Sequence, residues 1–151
     1  SSANAAPTPT AAPSVAAIAT TAAIAPAAKL DMGALSERKD PERVLRFYVR
    51  ALSARQWDAA AKAWGAGAGV TAAILEAAYD RPVPPRFEIG KGTVEGAAGS
   101  LYYEAPVVLS FGDEATPERG TLTLRRVNDV DGATAEQLRW HIERSTIGAG
   151  Q

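Results

Sequence analysis

The spacing of apolar residues in this chain changes once, at a cluster of prolines, and this change constrains the fold most strongly. Before Pro82, apolar residues recur every three or four positions, as they do along one face of a helix. After Pro85 they alternate with polar residues, as in a strand with one buried face. Helices followed by strands in a chain of 151 residues predict an α+β fold.

The first half of the domain predicts three helices. Asp40 is a suitable N-cap, followed by a proline at the first helical position and an acid in the first turn, and the predicted helix covers residues 41–54. A second helix is predicted over residues 56–64. A third begins after the N-cap Thr71. We expect three of its residues to face the core: Ile74, Leu75 and Ala78.

The second half predicts four antiparallel strands, over residues 86–94, 101–111, 120–127 and 137–147. Gly90 and Gly92 predict a bulge in the first of them. The inner face of the last strand is predicted to carry Leu138, Trp140 and Ile142. The predicted architecture is therefore three N-terminal helices packed on a curved four-stranded antiparallel sheet.

The chain divides by composition into a tail and a domain. Residues 1–28 are rich in alanine, proline and threonine and carry no charge, so they offer little to bury. We predict a flexible linker over residues 1–34, a domain over 35–147 and a short tail over 148–151. A neutral tether of this kind suits an exported protein, periplasmic or tethered at the cell surface, that contacts a membrane only through the tether.

Composition excludes several kinds of chemistry. The chain has no cysteine and one histidine, which rules out disulfides, thiolate ligands and multi-histidine metal sites. Its net charge of −1 argues against nucleic acid as a partner. We expect no metal and no cofactor.

Two adjacent segments resemble the opening of NTF2-like (cystatin-fold, SnoaL-type) domains: residues 41–52, PERVLRFYVRAL, and residues 56–60, QWDAA. In that family a long helix with an aromatic pair precedes a short second helix that often begins with a Trp-Asp-like pair. The resemblance covers residues 38–147 and implies a cone of helices and sheet that encloses a pocket. The family includes isomerases, dehydratases, cyclases, transport factors and non-catalytic modules, so the resemblance does not imply one chemistry.

The same resemblance implies a candidate oxyanion donor. Steroid-isomerase-like members use a tyrosine of the first helix together with an acidic base, and Tyr48 matches the position of that tyrosine. The candidate bases are Asp80, near the end of the third helix, and Glu104, which falls on the outer face of its strand. Because the inner strand positions carry no acid, a pocket enzyme that uses Tyr48 with Asp80 or Glu104 is the alternative rather than the leading interpretation.

Five residues are candidates to line the pocket: Tyr48, Trp64, Tyr103, Arg126 and Trp140. Arg126 shares a strand face with two leucines, so it needs a partner. We predict a structural ion pair with Glu88 or Asp80, and the alternative is an anion bound at the pocket mouth.

Two further features receive an ordinary structural interpretation. His141 falls on the outer face of the last strand and is predicted to be a solvated surface residue. Residues 65–69, GAGAG, follow a helix and lack the lysine of a phosphate-binding loop, so they predict a flexible connection between helices.

The leading functional hypothesis is an exported, tethered, non-catalytic NTF2-like module that binds a small apolar ligand or a partner protein. The alternatives are the Tyr48 enzyme and a structural domain that forms homodimers through the outer face of its sheet. A hollow core with an acid beside Tyr48 would favour the enzyme, a dry cavity would favour ligand binding, and a filled core would favour assembly.

Overall fold

The computed structural model describes residues 29–112 and 116–147. The chain divides into two units, Ser1–Leu30 and Asp31–Gln151, and the second unit is the folded domain considered below. The predictions for residues 1–28 and for the tail 148–151 lie outside the described residues.

The described domain contains helices, then strands, with one short helix inserted before the last strand. The helical elements are a 3₁₀ helix Met32–Ser36, α1 Pro41–Ser53, α2 Trp57–Ala61, a 3₁₀ helix Ala66–Ala68, α3 Ala72–Tyr79 and α4 Ala135–Leu138. The strands are β1 Arg86–Ile89, β2 Thr93–Ala97, β3 Ser100–Ser110, β4 Glu118–Val127 and β5 His141–Ser145. The α+β class is confirmed.

Local sequence signals account for the helix starts. The Asp40 carboxylate accepts a hydrogen bond from the amide of Glu42, and the Thr71 hydroxyl accepts one from the amide of Ile74. The inner face of α3 is made by Leu75 and Tyr79, whereas Ile74 is exposed, so the prediction for Ile74 was wrong. Residues four apart lie on one face of a helix, and the Leu75–Tyr79 pair leaves Ile74 beside that face.

Within the described residues the sheet has five strands where four were predicted. Its order is β1-β3-β4-β5, and β2 also pairs with β3. β1 pairs up to Ile89↔Val107 and β2 begins at Thr93↔Glu104, so residues 90–92 face only two residues of β3. The predicted bulge at the glycines therefore divides the predicted first strand in two. Gly92 lies so close to Glu104 that a side chain there would collide with the backbone of β3.

The last predicted strand is shorter than expected. Residues 135–138 form α4, because Thr134 and Gln137 make a capping box. β5 then bulges at Glu143, where the register against β4 shifts. Trp140 and Ile142 are buried, as the alternation predicts.

The second predicted helix also ends early, and the residues after it approach the sheet. α2 ends at Ala61, and Trp64 forms an isolated parallel bridge with Ile142. The Gly65 amide donates to the Ile142 carbonyl over 2.9 Å, and the Ile142 amide donates to the Ala63 carbonyl over 2.8 Å. Residues 63–65 therefore cover the free edge of β5.

Aromatic side chains fill the space between the helices and the sheet. Tyr48 and Trp64 meet edge to face, with ring centroids 6.2 Å apart.

Arg43 ties the segment before α1 to the domain, since its guanidinium pairs with Asp31 at 2.7 Å and with Glu37 at 2.8 Å. The Arg43 guanidinium and two backbone amides lower the pKa of Glu37 to about 2. None of the described helices combines the length and the apolar character needed to cross a membrane.

Candidate functional site

The five candidate pocket residues are all buried: Tyr48, Trp64, Tyr103, Arg126 and Trp140. Trp64 borders one of the surface depressions described below. The other four residues are absent from the walls of those depressions.

In the Tyr48 alternative, the tyrosine is buried whereas both candidate acids are exposed. Tyr48 is 1% exposed, and burial, with a contribution from neighbouring Tyr79, raises the pKa of its phenol far above the ordinary range. The Asp80 carboxylate pairs with Arg55 at 2.7 Å on the surface. Glu104 is exposed, as its strand parity predicts.

A different tyrosine is paired with a carboxylate. The Tyr103 hydroxyl donates to Oε2 of Glu42 over 2.9 Å and accepts from the amide of Gly92 over 2.9 Å. Burial, followed by the Glu42 contact, raises the pKa of Tyr103. Nothing in the sequence signals this pair, because the packing of α1 on the sheet brings Glu42 to Tyr103. The hydroxyl joins the start of α1 to the bulge between β1 and β2.

Arg126 is held by a structural ion pair, but its partner is neither Glu88 nor Asp80. Its NH2 group lies 2.6 Å from Asp129, and its NH1 group donates to the Arg38 carbonyl over 2.7 Å. Its Nε donates to the Val127 carbonyl over 3.0 Å. All three nitrogens are therefore used: NH1 fastens the end of β4 to the segment before α1, and the other two hold the chain where it leaves β4. The partner is Asp129 because that residue lies in the loop that follows β4, three positions after Arg126.

The candidate site lies instead beside residues 65–69. A surface cleft of about 400 Å³ is bordered by this glycine loop, by β4, by α4 and by β5. We call it the histidine cleft. Its polar lining residues are Arg125, Glu136, Gln137, His141 and Glu143. A second depression of about 530 Å³ on the other side of the loop shares Gly65, Ala66 and Glu136 and extends to Trp64 and Arg139.

Glu136 of α4 holds the glycine loop in place. Its carboxylate accepts a hydrogen bond from the Ala66 amide over 3.3 Å and two from Arg139, over 2.9 and 3.0 Å. Arg139 also donates to the Trp64 carbonyl over 3.1 Å. The Arg139 guanidinium lowers the pKa of Glu136, so the carboxylate stays charged. The loop predicted to be a flexible connection is thus fastened to α4.

The ring of His141, which lines this cleft, keeps one nitrogen as a hydrogen-bond acceptor. Its Nδ1 lies 3.0 Å from the Arg139 carbonyl. Because a carbonyl can only accept, Nδ1 carries the proton of the neutral ring and Nε2 carries a lone pair. Burial lowers the pKa of His141 below its ordinary value, so the ring is neutral at pH 7.

The prediction that His141 is a solvated surface residue was wrong about its surroundings. The residue does lie on the outer face of β5, but residues 63–65 add to the edge of that strand and cover the ring. The alternation along β5 gives the face of a residue and says nothing about which distant segment covers it.

The remaining charges of the histidine cleft come from Arg125 and Glu143. Arg125 lies opposite His141 in the register of β4 and β5. Its Nε donates to the Ser100 hydroxyl over 3.1 Å, and its NH1 group lies 3.5 Å from the Glu143 carboxylate. The cleft therefore offers a cation, carboxylates and a neutral imidazole within one small volume. Among the described residues, no group of three or more acidic or histidine side chains could hold a metal ion.

Comparison with known proteins does not indicate a function, so the function has to be inferred from the site. The chain matches no protein-family model, and no curated protein or solved structure is significantly similar to it.

Proposed function

We propose that this chain is a non-catalytic, NTF2-like binding module that takes a small polar ligand in the histidine cleft. The observation that carries the proposal is the neutral imidazole of His141, with Nδ1 occupied by a backbone carbonyl and Nε2 left as an acceptor. The family assignment is supported by the helix-then-sheet order and by the PERVLRFYVRAL and QWDAA segments.

The chemistry of the lining defines the ligand class. Nε2 of His141 and the Glu143 carboxylate accept hydrogen bonds, and the Arg125 guanidinium donates them. A ligand that fits offers an N–H or ammonium group to the acceptors and a carboxylate or carbonyl to Arg125, as amino acids and small amides do. This proposal replaces the apolar ligand of the sequence analysis, because Tyr48 and Trp140 are packed in the core while the cleft is polar.

We prefer binding to catalysis because the lining of the histidine cleft offers no nucleophile beside the His141 imidazole. An imidazole that takes a proton needs a substrate held against it and a nucleophile or donor group to complete the reaction. The described lining of the cleft contains no serine, threonine or tyrosine side chain that could serve as a nucleophile. We also propose that the module is exported and tethered, since the charge-free residues 1–28 suit a spacer ahead of a domain.

The test uses the single histidine of the chain as a reporter. Free amino acids and small amides are added to the ¹⁵N-labelled protein, and the imidazole nitrogens are followed by NMR. A ligand that donates to Nε2 is expected to shift that resonance and to lose its affinity in His141→Phe, which keeps a ring but removes the acceptor. Glu88→Gln, on a different strand, is the control that should bind normally. Ligands that bind without moving Nε2, or equally well to His141→Phe, would contradict the proposal.

One observation supports a second candidate, a structural domain that forms homodimers through the outer sheet face. Tyr48, Trp64 and Trp140 occupy the interior, and a filled core favours assembly over an internal ligand. On that outer face Tyr102 packs near Arg125, with 5.9 Å between the guanidinium and the ring centroid. Light scattering over a dilution series is expected to report a dimer that Tyr102→Glu dissociates, whereas a wild-type monomer at all concentrations would remove this candidate.

A further inference from the structure

The two edges of the sheet differ. The edge of β5 is covered by residues 63–65 through backbone hydrogen bonds. β1 lies at the opposite end of the strand order, and among the described residues no strand or bridge pairs with its free side. An open edge presents unpaired N–H and C=O groups that can pair with another strand.

The register identifies the backbone groups on that free side. The Gly90 amide donates to the Pro106 carbonyl over 2.8 Å, continuing the ladder in which Glu88 faces Val108. In an antiparallel ladder, alternate residues direct their backbone groups to the partner strand. Those of Phe87 and Ile89 therefore point away from β3.

A groove of about 410 Å³ runs beside this edge, between α1 and β1. Residues of α1 spaced three and four apart form one wall, and residues at the start of β1 form the other. Its lining residues are Arg46, Val49, Arg50, Ser53, Pro85, Arg86 and Phe87. We call it the arginine groove, since its lining combines three arginines with three apolar residues, Val49, Pro85 and Phe87.

The charge of the arginine groove is only partly balanced. Arg46 lies 3.4 Å from Asp40 and 4.0 Å from Glu42. Among the described residues, no carboxylate pairs with Arg50 or Arg86. Two exposed cations therefore flank an apolar strip and an open strand edge.

We propose that the arginine groove binds an extended acidic peptide of a partner protein, which adds to the sheet as a strand beside β1. The peptide would pair its backbone with Phe87 and Ile89 and place an apolar side chain against the apolar residues of the groove. Its carboxylates would meet Arg50 and Arg86. Strand addition derives affinity from main-chain hydrogen bonds and specificity from alternate side chains, and this groove offers both.

The shape of the surface favours a peptide over an anionic membrane. A flat headgroup layer would meet the arginines but would leave the apolar residues and the outward backbone groups of β1 unused. The proposal concerns a different surface from the histidine cleft, so each can fail without the other.

The experiment measures binding of an end-capped, fluorescein-labelled peptide of alternating glutamate and valine by fluorescence anisotropy. The full chain is expected to bind it, with an affinity that falls as salt is added. The matched lysine–valine peptide is expected not to bind. A glutamate–valine peptide with N-methylated backbone amides is also expected not to bind, because it cannot form the ladder. In ¹⁵N spectra, the amides of Phe87 and Ile89 are expected to shift most.

Charge reversal supplies the variants. Arg50→Glu combined with Arg86→Glu is expected to weaken binding by about tenfold or more, since each lost surface pair costs up to about 1 kcal/mol and repulsion adds to it. Arg144→Glu, on the covered β5 edge, is the matched control and is expected to bind normally. Thermal unfolding checks that all variants are folded.

Three results would overturn the proposal. The first is that the lysine–valine or the N-methylated peptide binds as well as the glutamate–valine peptide. The second is that Arg144→Glu weakens binding as much as Arg50→Glu combined with Arg86→Glu, and the third is that the protein binds vesicles of anionic phospholipid but not the acidic peptide. The last result would assign the arginines to a membrane instead.

Discussion

The imidazole of His141 packs directly on the α-carbon of Gly65, so closely that a β-carbon built on Gly65 would lie 2.6 Å from Cδ2 of the ring. This contact joins the glycine loop to β5 and covers one edge of the ring. It exists because Gly65 donates to the Ile142 carbonyl and so runs beside the strand. The lowered pKa of His141 and the shape of the histidine cleft both depend on this approach.

Replacing Gly65 with alanine should therefore displace the ring. We expect Gly65→Ala to raise the pKa of His141 toward its ordinary value, since a displaced ring is better solvated. Overpacking should also lower the free energy of unfolding by about 1–2 kcal/mol. The imidazole NMR titration and denaturant unfolding measure the two effects. Gly67→Ala is the control, because nothing lies within 4 Å of a β-carbon built there.

The pH dependence of stability should report the burial of His141. The pKa of the folded state is lowered, so both states are neutral above the ordinary value of 6.5 and the residue contributes nothing to the pH dependence there. As the pH falls below 6.5, the unfolded chain binds the proton first and stability is lost until the folded ring is also protonated.

We therefore expect the wild type to lose more stability between pH 7 and pH 5 than His141→Gln, which cannot titrate. Thermal unfolding at each pH measures the difference. Parallel curves for the two proteins would mean that the ring is solvated in the folded state.

Trp140 should contribute strongly to stability, and mainly through packing. It is 2% exposed, and Trp140→Ala is expected to cost about 3–5 kcal/mol because it empties a large core site. Its indole N–H has no hydrogen-bond partner among the described residues, so Trp140→Phe loses packing but no hydrogen bond and should cost clearly less. Urea unfolding of both variants compares them. A phenylalanine variant as unstable as the alanine variant would contradict this prediction.

Arg126 and Asp129 should differ in importance although they are paired. Arg126→Leu leaves the Arg38 and Val127 carbonyls without their donor and should lower the free energy of unfolding by about 2–3 kcal/mol. The Asp129 side chain is 77% exposed, so Asp129→Asn should cost under about 1 kcal/mol. Equal losses in denaturant unfolding would mean that the ion pair, rather than the carbonyl contacts, anchors this end of β4.

The helices and strands were predicted from apolar periodicity and from capping residues. The Asp40 and Thr71 caps, the buried alternation of β3 and the inward Trp140 and Ile142 are local properties, since each depends on residues a few positions apart. Such signals act within one helix turn or one pleat of a strand, so the sequence displays them directly.

The positions where strands break or bulge were harder to predict from the sequence. The glycines at 90 and 92 predict a bulge, but only the pairing with β3 shows that the bulge separates β1 from β2. The bulge at Glu143 has no sequence signal at all, because it is defined by the register of β5 against β4.

The α+β class, the helix starts and the inward strand faces were therefore determined by the sequence itself. Tertiary structure alone decided that Gly65 covers His141, that Glu42 meets Tyr103 and that Arg46, Arg50 and Arg86 border one groove. Each of these contacts joins segments far apart in the chain, and a side chain's alternation or spacing describes only its own element. Their positions follow from how the helices pack on the sheet, which depends on all the buried side chains together.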